Sequence, residues 1–493
     1  MRSVAFRRLT AMTASLALLS ACGGGGSGTT ASSGGGGTSS PTPTPSVGTC
    51  ALSARKEWTL AQLNEWYLFP ENLNASLNPA PYTDVQTYID ALVASARSAG
   101  KDRYFTYITS IAEENAYYAS GSSAGFGFRM VVDNGARRVF ISEAFEGTPA
   151  LTAGIDRGAE IVAIGNTTSS MRTVSSIIAS EGSAGITNAL GPSTAGTSRA
   201  LQITDASGTR TLTVTKADYE LTPVSARYGA KVIDDGGKKV GYINLRTFIS
   251  TAETPLRNAF ANFKAQGVTE VIIDLRYNGG GLVSIADLMN NLMGGGRTTS
   301  QVANYVTFRP SKSSQNETVY FAPQSQSIAP TRVAFIGTGG SASASELVMN
   351  TFIPYLGNRA ALVGTNTYGK PVGQIAIDRS ACDDRLRVIA FALENANHQG
   401  AYYNGLAGFM GATCQAADDV SRPLGDPAEA STRAALDFLA GRSCTPISAS
   451  ASASAGGDGP GAQTTGATID ARRMELLMPD RPTTPQREVP GSF

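Results

Sequence analysis

The fold is decided by the stretch VIIDLRYNGGG at residues 271–281, in which an apolar run ends in polar residues and three glycines. Residues 268–275 are typical of a buried strand, because their apolar run lacks the strict alternation of a half-exposed strand. The sequence predicts further elements around it, namely strands at 240–248, 332–336 and 360–363 and helices at 255–265, 284–292 and 345–356. Strands that alternate with helices predict a mainly parallel sheet covered on both faces, and hence an α/β fold over residues 225–445.

The segment GSASASE at 340–346 follows a predicted strand and opens a helix. Ser343 and Glu346 match a capping box, in which Ser343 is the N-cap and Glu346 the third helical residue. Taken alone, this segment favours helix capping over catalysis. The glycines at 279–281 end a neighbouring strand, so their backbone N–H groups, with that of Ala344 at the helix N-terminus, could form an oxyanion hole. The plainer interpretation of these glycines is a flexible turn.

Lys370 lies in GKPVGQ at residues 369–374, just past the predicted strand at 360–363. A lysine acts as a general base when burial lowers its pKa from about 10.4 toward about 7–8. The apolar residues at 360–363 and Val372 would allow such burial. The ordinary alternative for Lys370 is a solvated surface charge.

The composition of the 493-residue chain excludes several classes of function. The 40 Lys and Arg residues nearly balance the 39 Asp and Glu residues, and a net charge of +1 leaves no general basic field, so we expect no nucleic-acid partner. The single histidine, His398, cannot build a multi-histidine zinc site, and its polar neighbours predict an exposed loop. We therefore expect no metal site of this kind, and a hydrolase built on this chain would need a base other than imidazole.

Residues 120–222 have a different pattern, with short predicted strands separated by Gly, Asn and Asp turns. They contain GFGF near their start and, later, GTPALTAG at 147–154 and GAEIVAIG at 158–165. These segments resemble a PDZ domain, whose glycine-rich loop points backbone N–H groups at a terminal carboxylate while a peptide adds as a strand beside it. The resemblance assigns substrate binding to Gly125, Phe126, Gly127 and Phe128. The alternative is a flexible turn with buried aromatic residues.

Residues 1–21 have the pattern of a signal peptide, with basic residues followed by an apolar run too short to span a bilayer. The sequence LSAC at 19–22 resembles the lipobox of bacterial lipoproteins, which predicts lipidation of Cys22; ordinary signal cleavage with a spare cysteine is the alternative. Residues 22–49 are rich in Gly, Ser, Thr and Pro and predict a flexible tether. This pattern implies a membrane anchor facing the periplasm, and Gly23 resembles a signal for outer-membrane sorting.

The two ends of the folded part have contrasting compositions. Residues 50–118 predict helices, because aromatic and aliphatic residues recur there at helical spacing in a stripe more typical of a core than of a ligand site. Residues 446–493 are rich in Ser, Ala, Gly and Pro and then charged, which predicts a disordered tail.

The cysteines predict two disulfides, because four remain when Cys22 is lipidated and an even number is typical of exported chains. The sequence allows three pairings among them. We favour Cys382 with Cys414 and Cys50 with Cys444.

Taken together, the motifs resemble those of the carboxy-terminal processing peptidases, also called tail-specific proteases. The matching stretches occur in the family's order and cover roughly residues 120–380: GYINL at 241–245, DLR at 274–276 with the glycine turn, SASASE at 341–346, and Gly364 with TYGK at 367–370. These serine endopeptidases join a PDZ domain to a crotonase-like α/β core and use a Ser–Lys dyad, in some members with a Gln. The resemblance implies a PDZ domain at 120–222 and a crotonase-like protease core at 225–445.

Carried over residue by residue, the resemblance makes Ser343 the nucleophile and Lys370 the general base. Gln374 matches the Gln that orients the lysine in some members. The oxyanion hole is assigned to the N–H groups of Ala344 and of one glycine of the turn, for which we choose Gly280. No cofactor takes part in this chemistry.

The chain departs from the family pattern at two points. Ser343 and Lys370 are 27 residues apart, slightly more than is usual in the family, and Pro354 occupies a position where some members carry an Asp. An insertion in the connection before the strand at 360–363 accounts for the first departure and leaves the dyad intact. The second argues against any mechanism that needs this Asp.

The sequence therefore predicts a lipid-anchored periplasmic serine endopeptidase. It would bind the free C-terminus of a polypeptide at residues 125–128 and cleave the chain with Ser343 and Lys370. One alternative is a catalytically inactive PDZ-type peptide-binding lipoprotein, which the spacing of the dyad favours. Another is a crotonase-type acyl enzyme, which would need an acyl-CoA site for which an exported chain has little use.

Overall fold

The computed structural model describes residues 48–448, 474–479 and 481–493, all of which belong to one unit, Gly48–Phe493. The predicted signal peptide, the lipidation site Cys22 and nearly all of the predicted tether lie outside the described residues. Within the described part of the chain, we find no helix with the length and apolar character needed to cross a membrane.

The N-terminal region is mostly helical, as predicted for residues 50–118. Its elements are α1 (Leu52–Trp66), α2 (Val85–Leu92), α3 (Ala94–Ser98), β1 (Tyr107–Ser110) and α4 (Ile111–Ser120). The Asp84 side chain caps α2 by accepting from the Thr87 N–H at 2.8 Å. Tyr67 and Tyr88 are buried in one apolar cluster with the aliphatic residues of α1 and α2, which confirms that the aromatic stripe is core.

The predicted strands of residues 120–222 are present. The elements are β2 (Ser122–Gly125), β3 (Phe128–Asp133), β4 (Arg138–Ala144), α5 (Pro149–Thr152), β5 (Glu160–Gly165), β6 (Arg172–Thr173), α6 (Val174–Leu190), β7 (Ser198–Asp205), β8 (Gly208–Thr215) and β9 (Ala217–Glu220). Strands β3, β4, β5, β7 and β8 form an antiparallel sheet in that order, while β6 pairs with β5 and β2 pairs with β9. Helix α6 packs on this sheet, and the region encloses an apolar cluster of its own.

The predicted α/β sheet is also present. Along the chain the elements are β10 (Ala230–Asp235), β11 (Lys238–Asn244), α7 (Glu253–Ala265), β12 (Glu270–Asp274), α8 (Val283–Met293), β13 (Val302–Phe308), β14 (Glu317–Tyr320), β15 (Arg332–Gly337), α9 (Ala344–Leu356), β16 (Ala360–Gly364), β17 (Val372–Arg379), β18 (Asp384–Glu394), β19 (Ala412–Gln415) and α10 (Ala430–Leu439). The strand order is β10-β11-β12-β15-β16-β19, parallel from β11 onward. Val271 and Ile273 pack with α7, α8 and α9, whereas Ile272 packs with α10, so both faces of the sheet are covered.

A second, antiparallel sheet was not predicted. Its order is β1-β18-β13-β14, with β17 also paired to β18. Strand β1 belongs to the N-terminal region, so this sheet connects that region to the rest of the fold. Lys370 lies just before β17 and Gln374 lies on it, so the sheet also positions two residues of the candidate site.

The favoured disulfide pairing is wrong. Among the described residues, Cys50 pairs with Cys382 and Cys414 pairs with Cys444, with Cα–Cα distances of 5.5 and 5.3 Å. The reason lies in the unpredicted sheet: α1 contacts β18, and this contact brings Cys50, just before α1, beside the turn that joins β17 to β18.

The predicted disorder of residues 446–493 is wrong for the parts that the structure describes. These parts contain β20 (Met474–Leu476), antiparallel to β3, and α11 (Thr484–Glu488). Apolar residues that are isolated in the sequence enter the core of the remaining chain, which a composition averaged over the tail does not reveal. They are Leu477, Val489 and Phe493, which are 2%, 1% and 4% exposed.

Candidate active site

Asn278 fixes the glycine turn that follows β12. This buried side chain donates from Nδ2 to the Leu245 carbonyl at 2.8 Å and accepts from the Gly280 N–H at 2.9 Å. Gly280 and Gly281 have φ angles of +125° and +133°, which residues with a side chain rarely adopt. A Cβ on Gly280 would lie 2.8 Å from the Ser343 Cβ, so the turn packs directly against the predicted nucleophile.

The serines of the turn before α9 differ in their surroundings. Ser341 Oγ donates to the Leu275 carbonyl and Ser345 Oγ donates to the Asn278 carbonyl, both at 2.8 Å, and both side chains are fully buried. These two serines connect the turn to the end of β12. Ser343 is partly exposed and has a φ of +55°, an uncommon conformation that persists only where the surrounding structure imposes it. Of the three hydroxyls, that of Ser343 is the one a substrate can reach.

Lys370 is a partly buried lysine with a lowered proton affinity. Burial lowers the pKa of Lys370 to about 8, which agrees with the direction predicted from the sequence. Its Nζ donates to Gln374 Oε1 at 2.8 Å and lies 5.0 Å from the centre of the Phe105 ring. Gln374 in turn donates from Nε2 to the Phe105 carbonyl. A neutral amide thus orients Lys370 without the strong rise in pKa that a carboxylate partner would cause.

Glu346 joins the two candidate catalytic segments, and the sequence did not assign it to the site. Its buried carboxylate accepts from the Thr367 hydroxyl at 2.6 Å and the Gly369 N–H at 2.7 Å through Oε1, and from the Ser343 N–H at 3.1 Å and the Lys370 N–H at 2.7 Å through Oε2. The backbone nitrogens of the predicted nucleophile and base therefore share one acceptor atom. Burial raises the pKa of Glu346, and these hydrogen bonds oppose that rise. The capping box was a signal for Glu346, but it explains only the bond to Ser343.

Gly279 is a further donor at the glycine turn. Its N–H donates to the Glu488 carbonyl at 2.9 Å, so a peptide carbonyl is bound beside the predicted oxyanion hole. The Gly280 N–H is directed at Asn278 Oδ1, and Ala344 is the buried first residue of α9. The assignment of the oxyanion hole to Gly280 and Ala344 stays a prediction.

The loop at residues 125–128 binds Phe493. The Gly127 and Phe128 N–H groups donate to the main-chain oxygen of Phe493 at 3.0 and 3.4 Å, and the Phe493 N–H donates to the Phe128 carbonyl at 2.9 Å. Gly127 has a φ of +81°, and a Cβ there would lie 2.1 Å from a neighbouring side chain. Phe126 and Phe128 are buried and stacked, with ring centres 5.3 Å apart. The loop is therefore both a turn with buried aromatic residues and a pair of backbone donors.

Neither a metal cluster nor the histidine enters this site. Within the part of the chain that the structure describes, no group of three or more His, Cys, Asp or Glu side chains is arranged to bind a metal ion. His398 is exposed, as predicted, with 65% of its side chain accessible. Its ring stacks on Tyr305 at 4.2 Å and its Nδ1 lies 3.1 Å from Glu394.

The two candidate catalytic segments fall within one matched stretch of the chain. Residues 239–399, which contain Ser343, Glu346 and Lys370, match the family model described as Peptidase family S41. This match and the curated relatives support a serine-type peptidase of the C-terminal processing peptidase family.

Relatives of the chain carry the same family description. The C-terminal processing peptidase, chloroplastic, of Tetradesmus obliquus is 26% identical over 275 residues, which are 53% of this chain and 54% of the relative. The carboxyl-terminal-processing protease of Synechocystis is 24% identical over 330 residues, which are 65% of this chain and 70% of the relative. The chain spans about half the length of the first curated relatives it matches. A crystal structure of a Bacteroides fragilis protein assigned to the S41 proteases has a TM-score of 0.59 at 23% identity and covers 78% of this chain and 97% of that one, which shows a shared fold.

Proposed function

We propose that the protein is a serine-type endopeptidase that cleaves polypeptides with a Ser343–Lys370 dyad. One observation carries the proposal: the Glu346 carboxylate accepts from the N–H groups of both Ser343 and Lys370, and so connects a strained serine turn to a partly buried lysine. A base with a pKa of about 8 is about one-fifth neutral at pH 7.4. Lys370 is thus available to accept a proton near neutral pH.

The proposed mechanism uses these residues in turn. Neutral Lys370 takes the proton of Ser343 Oγ, and Oγ attacks the scissile carbonyl carbon. The N–H groups of Ala344 and Gly280 stabilise the oxyanion, with the Gly280 N–H shared between it and Asn278 Oδ1. The Lys370 ammonium then protonates the leaving amine. A water molecule, deprotonated by the same lysine, hydrolyses the acyl-enzyme.

We infer that residues 120–222 are a PDZ domain that binds the C-termini of substrate polypeptides, beside a crotonase-like core at residues 225–445. Strand β3 follows the loop at 125–128, and the N–H groups of Gly127 and Phe128 donate to one main-chain oxygen of Phe493. A peptide added along β3 would gain the backbone hydrogen bonds of strand addition. The geometry of this loop supports the inference.

We also propose that the protein is anchored by lipid at Cys22 and faces the periplasm from the outer membrane. The two disulfides support an oxidising compartment outside the cytosol. A radiolabelled fatty acid should be incorporated into the wild-type chain and not into the Cys22→Ser variant. Equal labelling of both would refute the anchor.

Hydrolysis of an unstructured polypeptide by the purified chain tests the dyad. Ser343→Ala and Lys370→Ala should each lower the rate by about 10³-fold or more without loss of folding. The exposed residues Ser314 and Lys264 provide matched controls, Ser314→Ala and Lys264→Met, which should retain the wild-type rate. A Ser343→Ala variant with the wild-type rate would refute the dyad. Peptide binding without turnover by the wild-type chain would instead favour a catalytically inactive binding lipoprotein.

A further inference from the structure

The C-terminal segment, defined as residues 474–479 and 481–493, lies along the predicted peptide groove. Strand β20 pairs antiparallel with the edge of β3 that faces away from β4. The last three residues of the chain pair with the same edge, nearer to the loop at 125–128, where the Met130 N–H donates to the Gly491 carbonyl at 2.9 Å. The edge at which a substrate peptide would add as a strand is therefore already paired.

Between these two contacts, α11 lies on the glycine turn of the candidate active site. The Glu488 carbonyl accepts from the Gly279 N–H at 2.9 Å, and a Cβ on Gly279 would lie only 2.1 Å from the Arg487 carbonyl oxygen. The buried Glu488 side chain accepts from the Tyr118 hydroxyl at 2.8 Å. Its charge also opposes the lowering of the Lys370 pKa, which places this carboxylate in the electrostatic surroundings of the predicted base. The segment thus lies beside the predicted oxyanion hole and close enough to Lys370 to influence its pKa.

Two apolar side chains anchor this part of the segment. Val489 is 1% exposed and packs in a cluster with Tyr117 and Phe145. Phe493 is 4% exposed and packs in the apolar cluster of residues 120–222. The last residue is thus bound by its backbone and by its aromatic side chain, and the residues before it, Gly491 and Ser492, are small.

We propose that residues 484–493 are an intramolecular ligand of the peptide groove that excludes polypeptides from Ser343, and that the groove selects peptides of the same chemistry, an aromatic residue preceded by small residues. The exclusion of substrates rests on the proposed function, whereas binding of the segment does not. The N–H groups of Gly127 and Phe128 and the edge of β3 cannot serve two peptides at once, so a substrate C-terminus must displace the segment. A tethered ligand has an effective concentration of about 1 mM, so a segment with an intrinsic Kd of about 10 µM would weaken a competing peptide about a hundredfold.

Peptide binding provides the direct test, in a Ser343→Ala background that removes turnover. The probe is a fluorescein-labelled peptide of sequence VPGSF, which is residues 489–493, and the measurement is fluorescence anisotropy. A chain that ends at Thr483 should bind the probe about a hundredfold more tightly than the full chain. Phe493→Asp in the full chain should also strengthen binding, and it covers the case in which the shortened chain fails to fold.

Two further variants separate specific displacement from a general effect. Arg481→Ala changes a residue of the same segment whose side chain is 61% exposed, and it should leave the affinity of the full chain unchanged. Gly125→Ala places a Cβ 2.7 Å from the carbonyl carbon of Phe493, so it should abolish binding of the probe to the shortened chain. A probe that ends in Asp in place of Phe should not bind.

Equal affinities of the full and shortened chains for the probe would overturn the proposal. With Ser343 restored, the shortened chain should also cleave an unstructured polypeptide that ends in Gly-Ser-Phe about a hundredfold more efficiently than the full chain. Different affinities without cleavage by either chain would support the intramolecular ligand and refute the proposed function. Equal affinities together with equal cleavage by both chains would refute the intramolecular ligand and support the proposed function.

Discussion

Replacement of Lys370 by methionine should abolish hydrolysis and yet stabilise the folded chain. Burial lowers the pKa of Lys370 from 10.5 to about 8, so the folded state disfavours the ammonium by about 3 kcal/mol relative to the unfolded state. Methionine has a similar length and no charge to desolvate. Loss of the hydrogen bond to Gln374 offsets about 1 kcal/mol of the stabilisation gained by removing this charge. At pH 7 the free energy of unfolding of Lys370→Met should therefore exceed that of the wild type by roughly 2 kcal/mol.

This gain should shrink as the pH rises. Between the folded pKa of about 8 and the unfolded value of 10.5, the unfolded chain binds more protons than the folded chain, so the stability of the wild type rises with pH. From pH 7 to pH 9, Lys370 should raise the free energy of unfolding of the wild type by about 1.4 kcal/mol, and the Lys370→Met variant lacks this rise. Urea unfolding at the two pH values measures the difference, with Lys264→Met as the control for an exposed lysine. Hydrolysis by the wild type should increase with pH and level off above about pH 8.

Two results would refute this reasoning. A Lys370→Met variant that is less stable than the wild type at pH 7 would show that the ammonium is not desolvated in the folded chain. A stability difference that stays constant between pH 7 and pH 9 would show that Lys370 does not titrate in this range. Retained hydrolysis in a well-folded variant would show separately that Lys370 is not the base.

The remaining predictions concern the carboxylate, the glycine turn and a disulfide. Glu346→Gln leaves some of the N–H and hydroxyl donors around residue 346 without an acceptor, so kcat should fall about tenfold or more with little change in KM. An unchanged kcat would contradict the positioning role of Glu346. Gly281→Ala places a Cβ 2.3 Å from the Phe248 carbonyl oxygen at a φ of +133°. The unfolding free energy measured in urea should therefore fall by about 2 kcal/mol or more. A variant as stable as the wild type would show that the turn can relax. Cys50→Ser removes the disulfide to Cys382, which spans 332 residues, and should lower the free energy of unfolding by about 2–5 kcal/mol. An unfolding midpoint of the wild-type chain that is the same with and without reductant would contradict this prediction.

The parallel sheet was predictable because each of its strands carries a local signal. Strand β12 is a continuous buried run that ends in glycines, and the serine and lysine segments follow neighbouring strands of the same sheet. The antiparallel sheet carries no such signal for its edge strand. Tyr107 of β1 pairs with Arg387 of β18, and a short strand whose partner lies so far along the chain forms only because that partner is present.

In the candidate site and in the tail, too, features with a local sequence signal were predictable, and features that depend on distant residues were not. The sequence identified Ser343, Lys370 and Gln374 from motifs, and the structure brings Lys370 and Gln374 into contact. The full role of Glu346 depends on three donors supplied by residues 367–370, which a capping box does not reveal. The order of the C-terminal segment depends on a few isolated apolar residues whose binding sites lie hundreds of residues earlier, so a composition typical of disorder concealed it.

Phe105 has a consequence for the independence of the peptidase domain. Its carbonyl accepts from Gln374, 269 residues later, and its ring covers Nζ of Lys370, yet it lies outside the stretch at 239–399 that defines the family. An excised fragment with those bounds would expose Lys370 to water, where a lysine is almost fully protonated at neutral pH. The matched stretch therefore lacks one of the groups that shield Lys370 from water. Docking of the N-terminal region should therefore contribute to the lowered pKa of Lys370, which would couple the assembly of the chain to the chemistry proposed for this residue.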